Sequence, residues 1–216
     1  VKMGDTVLDL CCGSGDLSFL LSEKVGFNGK VIAVDFSKEQ LSIAASKQQS
    51  SYKACFRNIE WVEGDATDLQ FAPSSFDAIT VGYGLRNVVD RNRMMKEILR
   101  VLKVGAKVSI LDFNKSPQQK ISSFQEWMID NVVVPVAAGN GLAEDYEYLK
   151  NSIREYLTGC CAMYARKRRS LRDVRCMFWC VLVGKELEQL AARTGFTYAK
   201  HYEIGGGLMG NLVATR

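Results

Sequence analysis

Short apolar runs that stop at a glycine or an acid alternate with helical stretches through the first half of the chain, and this alternation constrains the fold more than any other feature. Val7-Leu-Asp-Leu-Cys11 is a buried-strand pattern that meets Gly13-Ser-Gly15-Asp16 at once, followed by Leu17, Phe19, Leu20, Leu21 and Val25 at helical spacing. Residues 29–35 form a second strand pattern ending in an acid, and Ser37 is placed to cap a helix carrying Leu41, Ile43, Ala44 and Ala45. Residues 59–65 and 76–82 read as the third and fourth strands. Asp90 opens a helix with Met94, Met95, Ile98, Leu99 and Leu102 inward and Gly105 as its stop, and residues 107–113 are the fifth strand. A helix over 184–195 and strands over 197–203 and 211–216 complete the pattern. Strands alternating with helices at this spacing predict an α/β fold with a mostly parallel, doubly wound sheet of seven strands.

Between the fifth strand and the last helix the pattern changes. Residues 116–157 are helical and aromatic-rich, with Phe124, Trp127, Met128, Tyr146, Tyr148 and Tyr156, and are predicted to form a helical lid. At 216 residues and 47% hydrophobic, the whole chain is predicted to be one globular domain, residues 1–216, with a substantial core. No apolar run reaches the roughly 18 residues with which a helix crosses a bilayer, so an integral membrane protein is not expected. The chain enters its first strand without an initiator Met or a charged leader, which reads as a piece of a longer precursor.

The net charge of +4 belongs to one segment. Of the chain's 28 basic and 24 acidic residues, six and one lie between residues 160 and 183, leaving 22 against 23 elsewhere. Without a basic face, nucleic acid is not an expected partner. Four of the seven cysteines (Cys160, Cys161, Cys176 and Cys180) fall in the same segment, and the odd total with no framework spacing points to a reducing compartment. Their spacing lacks the paired gaps of a structural zinc site, so no metal is expected.

A glycine turn after the first strand of such a sheet serves several nucleotide cofactors. Here Ser18 stands where a dinucleotide fingerprint has its third glycine, and Asp9 and Asp16 flank the turn. Two carboxylates repel a pyrophosphate but suit a ligand bearing an ammonium and a sulfonium. Asp35, at the end of the second strand, is placed to accept ribose hydroxyls, and Asp65-Ala66 fits a contact to an adenine amino group. S-adenosylmethionine is the implied cofactor, held by Asp9, Gly13, Gly15, Asp16, Asp35, Asp65 and Ala66. The alternative is that Asp9 and Asp16 only cap and anchor the turn.

Several strings carry a family resemblance: Val7-Leu-Asp-Leu-Cys-Cys-Gly-Ser-Gly-Asp16, Phe76-Asp-Ala-Ile-Thr-Val-Gly-Tyr-Gly-Leu-Arg-Asn-Val88, Arg100-Val-Leu-Lys-Val-Gly105 and Tyr148-Leu-Lys-Asn-Ser-Ile153. Together they resemble the ubiquinone/menaquinone C-methyltransferase family over nearly the whole chain. Leu111-Asp-Phe-Asn-Lys-Ser116 and the ending Met209-Gly-Asn-Leu-Val-Ala-Thr-Arg216 are most similar to its plastid branch, which acts on demethylphylloquinone. The resemblance implies a class I S-adenosylmethionine-dependent methyltransferase fold, C-methylation of a prenylated quinol without a metal, a chloroplast location, and contact with a membrane surface or lipid droplet. It adds Ser14 and Gly82 to the cofactor positions. It also implies that residues 160–183 are an insertion, because relatives run from Tyr-Leu-Thr-Gly directly into a Glu-Leu-Glu helix, and that N-terminal helices of the family are absent. Unspliced or mispredicted sequence would produce such edges, with a solvated basic loop as the alternative.

Methyl transfer from a sulfonium needs a nucleophilic ring carbon, so the acceptor is expected to be the quinol, activated as its phenol loses a proton. Arg86 is a candidate for stabilising the phenolate, Asn87 for holding a water that takes the proton, and Tyr83 for touching the substrate oxygen. Spacing also allows Arg86 simply to cap a carbonyl or pair with Asp112. Trp127, Tyr148, Ser152 and Tyr156 are candidates for the substrate pocket, or for packing of the lid. His201, the only histidine, lies away from every proposed site. Two other readings stay open: methylation of another small hydrophobic acceptor such as a demethylated benzoquinol, and an inactive relative.

Overall fold

The structure, a computed structural model, describes residues 1–113, 127, 131, 184–205 and 209–216. The chain divides into two compact units. The first takes Val1–Asp112, Glu186–Tyr202 and Asn211–Arg216, and the second Phe113–Lys185 and Glu203–Gly210. Most of the second unit, including the predicted lid at 116–157 apart from Trp127 and Asn131, and the segment at 160–183, lies outside the described residues.

In chain order the described elements are β1 (Thr6–Leu10), α1 (Asp16–Val25), β2 (Lys30–Asp35), α2 (Lys38–Ser50), β3 (Ile59–Glu63), β4 (Phe76–Gly82), α3 (Arg91–Val101), β5 (Leu102–Phe113), α4 (Gly184–Thr194), β6 (Tyr198–Ile204) and β7 (Met209–Thr215). The sheet has seven strands in the order β3-β2-β1-β4-β5-β7-β6. β1 runs parallel to both β2 and β4, as do β2 with β3 and β4 with β5. β7 runs against β5: the Gly105 and Ala106 end of β5 exchanges backbone hydrogen bonds with Arg216, while Ser109 donates to Asn211.

The apolar continuity of β1 follows from its central place. Val7, Leu8 and Leu10 are fully buried, because a parallel strand covered on both faces has no solvent side. One face of the sheet packs Leu8, Leu10, Ile79 and Val81 with Met94, Met95, Ile98 and Val101 of α3. Val7, Val31, Ala33 and Ala78 form another core with Leu21 and Val25 of α1 and with Phe56. Each of the larger of these side chains, Val, Leu, Ile, Met and Phe, contributes roughly 1.5–3 kcal/mol when taken from water.

Local signals are confirmed at both predicted caps. Ser37 Oγ accepts from the Gln40 N–H at 3.3 Å, and Asp90 Oδ1 accepts from the Arg93 N–H at 2.9 Å. The end of α3 differs from expectation. It stops at Val101, and Leu102 is already in β5, paired with Phe76. Gly105 is therefore a strand residue at φ 78°, its N–H bonded to Arg216. The strand pairs made by β4 and β7 outweigh a helix-stop signal that reads only local sequence. On α2, Leu41 and Ala44 are buried and Ile43 is exposed.

The connections after β1 build outward through β2 to β3, and the chain then returns to place β4 on the other side of β1. The carboxyl ends of β1 and β4 thus flank a topological switch point, where sheets of this kind bind ligands.

Candidate active site

Strand register brings the predicted residues to one edge. Leu10 pairs with both Val34 and Val81, Asp35 with Glu63, and Gly82 with Leu111. The segments that leave β1, β2, β3 and β4 therefore emerge side by side.

The turn after β1 is built from left-handed residues: Cys11 at φ 61°, Gly13 at 52° and Gly15 at 85°. It is tied to β2 by the Cys12 N–H to Val34 O bond and closed by the Gly15 N–H to Cys12 O bond, both 3.0 Å. Asp35 is the anchor. Its Oδ2 accepts from the Gly13 N–H at 2.8 Å and its Oδ1 from the Ser37 N–H at 3.0 Å, while the residue is only 7% exposed. Each carboxylate oxygen still has a lone pair for a ligand hydroxyl. In front of Gly13 there is open space where a side chain would stand, so a ligand can approach the backbone closely. A diol acceptor beside a bare backbone fits the ribose and methionyl parts of S-adenosylmethionine.

Asp65 and Ala66 follow β3. Asp65 Oδ1 accepts from both the N–H and the hydroxyl of Thr67, at 2.7 and 2.8 Å, and the Thr67 N–H holds its carboxyl below the usual range. Ala66 is buried in the core cluster.

The other predicted acids have different partners. Asp9 is 1% exposed, and its two oxygens take the hydroxyls of Ser18 at 2.5 Å and Thr80 at 2.8 Å. It ties α1 and β4 to β1, the anchoring role left open above. Burial pushes its carboxyl up to about 6 against the lowering effect of those hydroxyls. Asp16 is exposed and pairs with Lys47 of α2 at 3.0 Å. Lys47 also donates to the Ser14 carbonyl at 3.3 Å and hydroxyl at 3.1 Å, and Ser14 Oγ donates to Asp16 at 3.1 Å. Burial, then the neighbouring Asp35, pushes the Cys11 thiol up to about 12, and burial raises Cys12 as well, so both stay protonated.

Gly82, Tyr83, Arg86 and Asn87 leave β4 together. Tyr83 adopts φ 58° and its N–H donates to Leu111 O at 2.7 Å. Leu85–Asn87 form one 3-10 turn, closed by the Asn87 N–H to Gly84 O bond. Arg86 realises both of its structural alternatives. Its Nη1 donates to Tyr83 O and to Asp112 Oδ1, each at 2.7 Å, and its backbone N–H donates to Asp112 Oδ2 at 3.0 Å. Both side chains are buried, 6% and 8% exposed.

Trp127 is exposed, its carbonyl accepting from Asn131 Nδ2 at 2.8 Å, in the second unit. Tyr148, Ser152 and Tyr156 lie outside the described residues. His201 is on β6, its N–H bonded to Glu188 of α4 at 2.7 Å. The sequence does not predict Lys47 or Thr80 around the turn, nor Trp61, whose ring fills the space that a Cβ on Gly15 would need. Ser18 was readable as the small residue replacing a glycine, but nothing local marks Lys47, Thr80 or Trp61.

Comparison with known proteins gives the family and the fold. Residues 1–159 match the model of the ubiE/COQ5 methyltransferase family. The 2-phytyl-1,4-beta-naphthoquinone methyltransferase, chloroplastic, of Arabidopsis thaliana is 58% identical over 215 residues, covering 100% of this chain and 73% of the relative. A 2-phytyl-1,4-naphtoquinone methyltransferase of Nostoc is 41% identical over 215 residues, covering 100% and 82%. Among solved structures, a SAM-dependent methyltransferase from Aquifex aeolicus superposes with a TM-score of 0.63 at 18% identity, covering 99% of this chain and 82% of its own.

Proposed function

The chain belongs to the ubiE/COQ5 methyltransferase family and is an S-adenosylmethionine-dependent methyltransferase, and from that premise we propose that it methylates a ring carbon of 2-phytyl-1,4-naphthoquinol in the plastid. The observation that carries the substrate and the location is the 58% identity to the chloroplastic plant enzyme along the whole chain.

When bound, S-adenosylmethionine would supply an electrophilic methyl group, with a neutral thioether as the leaving group, to a ring carbon that gives up its proton in exchange. The residues of the chain bind and orient. Asp35 takes the ribose hydroxyls, Asp65 and Ala66 the adenine, and the backbone of the turn comes close to the cofactor at Gly13, with Ser14 and Gly82 as further contacts, while Gly15 seats the turn against Trp61. Asp9 holds α1 and β4 to β1 through Ser18 and Thr80, and Asp16, screened by Lys47, contributes to the cofactor's ammonium end. On the acceptor side Tyr83 touches the quinol oxygen, Arg86 steadies the charge that develops there, and Asn87 holds the water that receives the proton. Arg86 cannot be the base, since a guanidinium stays protonated. The isoprenoid tail of the acceptor brings the enzyme to a lipid surface. Among the described residues no helix is long and apolar enough to cross a membrane.

Calorimetry with S-adenosylmethionine, then methyl transfer to chemically reduced demethylphylloquinone beside a demethylated benzoquinol, tests the reading. Transfer to the naphthoquinol with at least tenfold preference supports it; preference for the benzoquinol, or cofactor binding without transfer to either, refutes the substrate.

A further inference from the structure

Tyr83 is a bulky residue held at φ 58°, a conformation such side chains leave unless their surroundings over-determine it. What holds it is a closed circuit with the end of β5. Leu111 O takes the Tyr83 N–H, Tyr83 O takes Arg86 Nη1, and Asp112 takes Arg86 twice, through the guanidinium at Oδ1 and through the backbone N–H at Oδ2. Both charges are nearly out of water, so the pair is stiff and its loss leaves a buried charge uncompensated. Gly84, inside the same loop, lies so close to Cys11 that a Cβ there would stand 2.3 Å from the Cys11 Cβ. The loop is thereby locked against the cofactor turn as well as against β5.

We propose that Asp112 is a positioning residue for methyl transfer: by holding Arg86 at both ends it sets the Tyr83–Arg86 loop in the one geometry from which these two residues meet the acceptor. The proposal rests on the reading that Tyr83 and Arg86 serve the acceptor side. Asp112 has no direct part in the chemistry. Its carboxylate has two acceptor oxygens for two different donors of one residue, a match that an amide, with one acceptor and one donor end, cannot make. A glutamate keeps both oxygens on a longer stem.

The test uses the full chain and its Asp112→Asn and Asp112→Glu variants, with three readouts: S-adenosylmethionine affinity, kcat and KM toward reduced demethylphylloquinone, and amide hydrogen exchange at Tyr83, Arg86 and Asn87. In Asp112→Asn we expect kcat to fall by about 50-fold with cofactor affinity within about threefold of wild type. Exchange should quicken at least tenfold at those three amides and stay unchanged at Leu10 and Gly13. Asp112→Glu should recover part of kcat and of the protection. The proposal is overturned by wild-type kcat or unchanged exchange in Asp112→Asn, or by a loss of activity that only tracks an equal loss of cofactor-binding protein. If the wild-type chain binds the cofactor but does not methylate the quinol, the substrate reading fails separately. The exchange data then decide: local loosening sustains the assignment of Asp112, and its absence removes it.

Discussion

The indole of Trp61 occupies the space that a side chain on Gly15 would need: a Cβ there would lie 2.5 Å from Cη2 of the ring and 3.2 Å from the Ala44 methyl. Gly15 is also the left-handed residue that starts α1. The last glycine of the turn thus serves the seating of α1 against β3 and α2, whereas the open space is in front of Gly13.

Gly15→Ala should lose roughly 3 kcal/mol of stability, part from the clash and part from the positive φ. Shrinking the ring with Trp61→Leu in the same chain should recover only the steric part, because the backbone strain remains. Urea unfolding of the single and double variants measures this, and a Gly15→Ala protein as stable as wild type would refute it.

Asp9 gives the fold a pH dependence of defined sign. Its carboxyl rises from 3.8 in the open chain to about 6 when buried, so the folded state binds the proton more tightly than the unfolded one. The stability this contributes is fully present below about pH 4 and is lost as pH rises through 6, a difference of about 3 kcal/mol. Asp9→Asn should flatten this part of the stability profile between pH 4 and 7 and keep partners for Ser18 and Thr80. Asp9→Ala should instead cost about 2–4 kcal/mol at every pH by stranding both hydroxyls. Unfolding free energies at pH 4.5 and 7.5 separate the two, and identical pH slopes in wild type and Asp9→Asn would sink the assignment.

Arg100 and Glu97 of α3 form a clamp on the segment between β3 and β4. Arg100 donates to Leu69 O and Phe71 O, each at 2.7 Å, and pairs with Glu97, whose Oε2 accepts the Leu69 N–H at 2.8 Å. Arg100→Lys should be nearly as destabilising as Arg100→Ala, about 2 kcal/mol, since an ammonium cannot span these acceptors as a planar fork does. The bonds to Arg100, before the other contributions, hold the Glu97 carboxyl below its usual range. Its contribution is therefore present at neutral pH and is lost as pH falls through that depressed value. Thermal melts of the two variants provide the check, with a wild-type Arg100→Lys melt as the contrary result.

Asp35→Asn should weaken S-adenosylmethionine binding at least tenfold. An amide can satisfy only one of the Gly13 and Ser37 N–H groups, and it presents a donor where the ribose needs an acceptor. Titration calorimetry reads this directly. Unchanged affinity would mean that the ribose is held elsewhere.

Much of this architecture is written locally. The period of the apolar residues separates strand from helix, short polar residues mark the caps at Ser37 and Asp90, and each parallel strand carries its functional residues to the same edge because connections in such a sheet are directional. The glycine turn, Asp35 and Asp65 at consecutive strand ends, and the Gly82-to-Asn87 string could therefore be placed at one edge from the order of residues alone. So could the family, since its strings span most of the chain.

The partners could not be placed that way. Asp9 and Thr80 are 71 residues apart, Arg86 and Asp112 are 26 apart, and Lys47 reaches the turn 31 residues back to Asp16. An acid in a sequence looks the same whether it meets a ligand, a hydroxyl or a guanidinium; which of these it meets depends on what the packing brings within 3 Å. The same holds for α3, whose end at Val101 is set by strand pairs to Phe76 and Arg216 that no local pattern encodes. Periodicity reports how each residue relates to its neighbours along the chain, while burial, charge pairing and close approach are properties of neighbours in space, and these decide that Asp9 spends both oxygens on Ser18 and Thr80 while Asp35 holds the turn through Gly13.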